Sequence, residues 1–105
     1  MAEEDLARFL KCIGEPTRLQ IIKMLSHGER CVGDLSTALQ REQSLISHHL
    51  RHLKECNVVR DRQDAQKVFY TISDERIARL VFESEALMAD VSLCMSCAET
   101  ASEDK

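Results

Sequence analysis

The sequence predicts a mostly α-helical fold with one small β-hairpin, in the order α-α-α-α-β-β-α. Apolar residues recur at helical spacing from Leu6 to Leu53, the period shortens to two between Val58 and Ile72, and a long helical stripe resumes beyond Ser73. In the first segment, Ala2 to Ile13, the residues Leu6, Phe9, Leu10 and Ile13 stand at i, i+3, i+4 and i+7, and Gly14 ends it. Pro16 has its φ preset for a first helical turn, where its missing amide costs nothing, and Leu19, Ile22 and Leu25 repeat until Ser26-His27-Gly28 closes a second helix. A short third helix is expected over Val32 to Leu39, with Val32, Leu35, Ala38 and Leu39 inward. The next helical run, Gln43 to Cys56, has Ile46, Leu50 and Leu53 on one face, while Ser44, Ser47, His48, Arg51 and Lys54 lie on others.

Strands are expected at 58–62 and 67–72, with Val68, Tyr70 and Ile72 alternating against Lys67, Phe69 and Thr71 around a turn at Asp64-Ala65-Gln66. Ser73 is placed to cap the last and longest helix, and Asp74 and Glu75 to complement its dipole. Ile77, Leu80, Val81, Ser84, Leu87, Met88 and Val91 form a near-heptad stripe along it. That stripe is longer than a 105-residue chain needs for its own core, so part of it is expected to pack on a second subunit of a homodimer. Residues 1–97 then make one domain, and 98–105, small and acidic, a disordered tail.

A hydrophobic fraction of 44% and a charged fraction of 30% exclude fibrous and wholly disordered classes. No apolar run approaches a membrane span, and Glu3, Glu4 and Asp5 stand where a secretory signal is basic, so a cytoplasmic protein with no membrane partner is expected. Five cysteines, an odd number, do not read as a disulfide framework in that compartment. The net charge of −4 is unevenly spread. Residues 41–67 are the only net-positive stretch and hold His48, His49 and His52, so a polyanionic partner is expected there. No catalytic constellation is visible: there is no glycine-rich phosphate loop, and no serine or cysteine stands with a base and an orienting acid, so no enzyme is predicted.

A short helix, a tight turn, a helix with one apolar and one short-polar face, and a two-stranded hairpin together describe a winged helix-turn-helix. Gln43, Ser44 and Ser47 are small enough to let the helix backbone approach a major groove, and they bond base edges or phosphates. His48, Arg51 and Lys54 add donors around them. Arg60, Arg62 and Lys67 flank the hairpin tip, where cations reach phosphates or a narrow minor groove; a solvated charged hairpin is the plainer alternative.

The runs Gly14-Glu15-Pro16-Thr17-Arg18-Leu19, Gly28-Glu29-Arg30-Cys31-Val32-Gly33-Asp34-Leu35 and Gln43-Ser44-Leu45-Ile46-Ser47-His48-His49-Leu50, with Leu53, Val58-Val59 and Val68-Phe69-Tyr70, resemble in order and spacing the ArsR/SmtB metalloregulators. The match spans residues 6–97, although the hairpin turn lacks that family's usual glycine. The resemblance implies a dimeric transcriptional repressor holding two reading helices about one DNA turn apart over an inverted repeat in double-stranded operator DNA. It also implies release when a ligand binds.

Branches of that family place the ligand differently. A Cys-x-Cys at the third helix is not available, since Cys31-Val32-Gly33 has one thiol, and a lone cysteine packs like a small hydrophobe. A zinc site between the long helices would fall at Asp74, Arg76, Leu87 and Asp90, where a guanidinium and a leucine cannot ligate. A cadmium- and lead-responsive arrangement maps onto His52, Cys56 and Cys97, with Cys94 as a second tail thiol. Thiolates select soft ions such as As(III), Cd(II), Pb(II) or Zn(II). Cys56, Cys94 and Cys97 would suit pyramidal As(III) or Pb(II), and His52 would complete a four-coordinate set; Cys12 is a further candidate, or a core residue. His48 and His49 are read as part of the DNA helix rather than as ligands.

Other readings keep or change the fold. A repressor switched by thiol oxidation or reactive sulfur would need a second-helix cysteine where Lys23 and Met24 stand. A thiol-disulfide oxidoreductase would need Cys94-x-x-Cys97 to open a helix in a βαβ context, whereas here it closes one. A protein-binding adaptor would show no salt-dependent DNA affinity.

Overall fold

In the computed structural model, which describes residues 1–91, α1 (Glu3–Ile13) ends at Gly14, where a Cβ would lie 2.8 Å from the Leu10 carbonyl oxygen. Glu15 caps α2 (Pro16–Leu25) by accepting the Arg18 backbone N–H at 2.9 Å, with Pro16 in the first turn. β1 (Arg30–Cys31) leads directly into α3 (Val32–Leu39), and Gln40, left-handed at φ 56°, turns the chain towards α4 (Gln43–Glu55). β2 (Val59–Asp64), β3 (Lys67–Ile72) and α5 (Glu75–Val91) complete the order.

α4 ends in a Schellman turn. Asn57 takes the left-handed position at φ 62°, its amide donates to the Lys54 carbonyl at 3.0 Å, and the Val58 amide donates to Leu53 at 2.8 Å. That turn aims the chain straight into the hairpin. β2 and β3 pair antiparallel from Val59 with Ile72 to Asp64 with Lys67, leaving a two-residue turn at Ala65-Gln66. β2 therefore runs further than the 58–62 the sequence predicts, because the ladder continues to the tight turn.

The sheet order is β1-β3-β2, with Arg30 opposite Tyr70 and Cys31 opposite Phe69. β1 is too short for its alternation to show in the sequence. It joins the start of α3 to the hairpin and so makes the wing part of the helix-turn-helix. Ile21, Ile22, Leu35, Ile46, Leu50, Leu53 and Val58 are fully buried at the centre of the core, where α2, α3 and α4 meet.

Two expectations change. Ser73 does not cap α5: its hydroxyl donates to the Asn57 carbonyl at 2.6 Å, and Asp74 accepts the Arg76 amide at 2.9 Å instead. Ala38 is exposed rather than inward, while Leu35 is buried and Val32 and Leu39 pack half-buried against the core. Leu6 and Leu10 are exposed on α1, as are Leu80, Leu87, Met88 and Val91 on α5, so these apolar faces extend beyond the core of one chain. Cys94, Cys97 and the 98–105 tail lie outside the described residues.

Candidate nucleic-acid interface

α4 divides its side chains sharply. Ile46, Leu50 and Leu53 are fully buried, whereas Gln43, Ser44, Ser47, His48, Arg51 and Lys54 are exposed. The buried set seats the helix on α2 and α3, so its outward surface is held by the core rather than by its own propensity. Leu45 stands among the polar residues at 38% exposure. Sequence alone does not single it out, because a leucine in a helix reads as core, yet an exposed leucine beside small hydroxyls is an apolar probe of the kind that meets a thymine methyl.

His49 belongs to a different structure. It is 7% exposed, and its Nδ1 accepts the Arg18 Nε–H at 3.1 Å, while Arg18 also donates to the Cys12 carbonyl at 2.9 Å. Burial pulls the His49 pKa below the usual imidazole range, against the pull of Glu15, whose carboxylate is 3.8 Å away. His49 is thus a neutral acceptor inside the fold, not a member of the exposed surface with His48. Arg18 fastens the end of α1, the start of α2 and the middle of α4.

The wing cations are partly engaged. Lys54 pairs with Asp61 on β2 at 2.9 Å, which raises the lysine's pKa. Arg62 forms a two-pronged pair with Glu29, stands 3.6 Å from Asp64 and lies over the Phe69 ring at 5.1 Å. Arg51, Arg60 and Lys67 are exposed and carry no ion pair among the described residues. Glu29 and Asp61, which hold two of the expected DNA cations, are close to them only through the fold and gave no signal in sequence.

The candidate ligands separate into two contacts. His52 turns its ring edge-on to His48, with centroids 4.6 Å apart. Cys56, the residue that closes α4, packs against the part of the core that includes Cys12 of α1. Burial, with that neighbouring thiol, pushes Cys12 up to about 12, while Arg18 pulls the other way. Among the described residues no three His, Cys, Asp or Glu side chains are grouped to hold a metal ion. His52, Cys56 and Cys12 therefore form no closed site by themselves, and Cys94 and Cys97 lie beyond the described part. At the zinc position of the related branch, Asp74 is bound by Arg76 at 2.8 Å, and that guanidinium holds its carboxyl at about 2.

The model of the bacterial regulatory proteins of the arsR family matches residues 15–61, which run from the cap of α2 through α4 into β2. A probable mercury resistance operon repressor of Streptomyces lividans is 33% identical over 94 residues, covering 90% of this chain and 75% of that one. The chain belongs to the ArsR family. Among solved structures, HlyU from Vibrio cholerae superposes with a TM-score of 0.74 at 34% identity, covering 85% of this chain and 99% of that one. A homodimeric winged helix-turn-helix DNA-binding domain from Mycobacterium bovis, a possible ArsR-family regulator, gives 0.75 at 32% identity, with coverage of 86% and 82%.

As an ArsR-family protein it is a DNA-binding transcriptional regulator and not an enzyme. Its winged helix-turn-helix is the one the sequence predicts. Among the described residues no helix is long and apolar enough to cross a membrane.

Proposed function

We propose that this ArsR-family regulator is a cytoplasmic homodimeric repressor that binds an inverted repeat in operator DNA and leaves it when a thiophilic ion binds its cysteines. The observation that carries the DNA half is the division of α4, with three apolar residues sealed in the core and Gln43, Ser44, Ser47, His48, Arg51 and Lys54 facing outward. Ser44, Ser47 and Leu45 meet the bases, Arg51 and Lys54 the phosphates, and Arg62 and Lys67 on the wing the flanking backbone. The exposed stripes of α1 and α5 supply the subunit contact, as homodimeric relatives of this fold suggest.

The inducer is As(III), Cd(II), Pb(II) or Zn(II), held by Cys56 with Cys94 and Cys97 of the tail, and with His52 where a fourth donor is needed. The relationship to a mercury resistance repressor supports soft-ion sensing in general. Because Cys56 closes α4, a ligand fixed there acts on the reading helix directly. Linkage requires DNA to weaken ion binding by the same factor, typically ~1–3 kcal/mol.

The test compares arsenite, cadmium, lead and zinc for release of DNA from the wild-type dimer and from Cys97→Ser. The variant is expected to bind DNA as before and to be deaf to the ion. Loss of DNA binding in the variant, or undiminished release, counts against the assignment.

A further inference from the structure

Arg62 is engaged on its edges and on one face, and its main partner comes from outside the hairpin. Its Nε–H donates to one Glu29 carboxylate oxygen at 3.0 Å and an Nη–H donates to the other, so that guanidinium and carboxylate meet side by side. Glu29 stands just before β1, at the edge of the sheet away from β2. The Arg62 side chain therefore reaches it across the middle strand, over the ring of Phe69, its cross-strand neighbour, at 5.1 Å. The remaining amino group lies 3.6 Å from Asp64. Yet the pair is open to water, with the Arg62 side chain 53% exposed and that of Glu29 33%. An exposed ion pair adds little to stability, so holding the sheet together is a poor account of so complete an engagement.

We infer that Glu29 is a built-in stand-in for a DNA phosphate: its carboxylate holds Arg62 in the free protein and gives it up to the duplex, so that Glu29 sets how readily the wing takes hold of DNA. This deepens the reading of the wing as a contact to the flanking backbone, and rests on that reading. The chemistry follows from the fork. The two parallel N–H bonds that grip a carboxylate are the same two that grip a phosphate, so one anion can replace the other without Arg62 changing its bonding pattern. Arg62 holds the Glu29 carboxyl below the usual carboxylate range, and Glu29 is therefore an anion at neutral pH. Phe69 lies under the guanidinium and keeps it flat on the sheet while the anion is exchanged. Arg60 and Lys67, exposed on the same hairpin, draw the duplex close enough for the exchange. In a repressor that must leave most DNA alone, a wing cation with its own counter-anion lowers the affinity for backbone as such.

The test uses the full-length chain and a mixed-sequence DNA duplex, with affinities read by fluorescence anisotropy at one ionic strength. Glu29→Gln keeps the shape of the side chain and removes its charge. It is expected to tighten binding by roughly two- to fivefold per subunit, the worth of an exposed ion pair. Arg62→Gln should weaken binding, and adding Glu29→Gln to it should return less than half of that gain, because the carboxylate acts through Arg62. A gain as large in the double variant as in Glu29→Gln alone, or no gain in Glu29→Gln, would overturn the inference. A second measurement needs no variant: the carbon-13 resonance of the Glu29 carboxylate should move towards that of an unpaired glutamate as duplex is added to the wild type, and a resonance that stays in place would overturn the inference as well. The wing itself is judged separately. If Arg62→Gln binds as tightly as wild type, the wing does not reach the backbone and both readings fall. If Arg62→Gln binds more weakly and Glu29→Gln brings no gain, the wing contact stands and only the role of Glu29 is refuted.

Discussion

Ala65 turns the hairpin at φ 58°, in the left-handed region where a Cβ is crowded by its own backbone. The family's usual glycine is absent, and the two-residue turn forms nonetheless, because the β2–β3 ladder fixes both sides of it. Ala65→Gly should therefore raise unfolding stability by about 1 kcal/mol in urea titration, the strain relieved exceeding the added chain entropy. His49 makes a second prediction. Its folded pKa lies below the unfolded value near 6.5, so the unfolded chain takes up the proton first. Stability is complete above pH 6.5, falls as pH drops below it, and stops falling once the folded imidazole is also protonated. In His49→Gln that part of the pH dependence should vanish from denaturation curves. Sequence showed the histidine but not its partner: only the fold brings Arg18 to it, and polar pairs distant in the chain have no period to detect.

At the scale of elements, helices and hairpin were legible because each has its own hydrophobic period and its own stop. The exposed polar face of α4 was legible for the same reason, since burying Ile46, Leu50 and Leu53 determines where Ser44, Ser47 and Arg51 must point. What escaped was set between elements. β1 is a two-residue pairing made by β3, and the bond from the Cys12 thiol to the His52 carbonyl is made by the way α1 crosses the end of α4. The Lys54–Asp61 pair belongs to this class and bears on function, because it joins the last turn of the reading helix to the wing and places a carboxylate on the DNA side. Asp61→Asn removes that charge and frees Lys54. The variant should bind duplex DNA more tightly than wild type, with a steeper salt dependence, in fluorescence anisotropy titrations at two ionic strengths.

For the molecule as a whole, a chain of net charge −4 binds a polyanion only if its positive residues are gathered and presented twice. The fold gathers them on α4 and the wing. In the proposed dimer the exposed leucines of α1 and α5 provide the means of doubling, and a second copy would place the two α4 helices on one side of a duplex. The proposed repression depends on α4 lying against DNA in a dimer, and the slope of log affinity against log salt reads this most directly. Wild type should show a linear fall, and Arg51→Ala a slope shallower by about two, because each subunit then neutralises one phosphate fewer. An affinity indifferent to salt, or an Arg51→Ala slope equal to that of wild type, would contradict it.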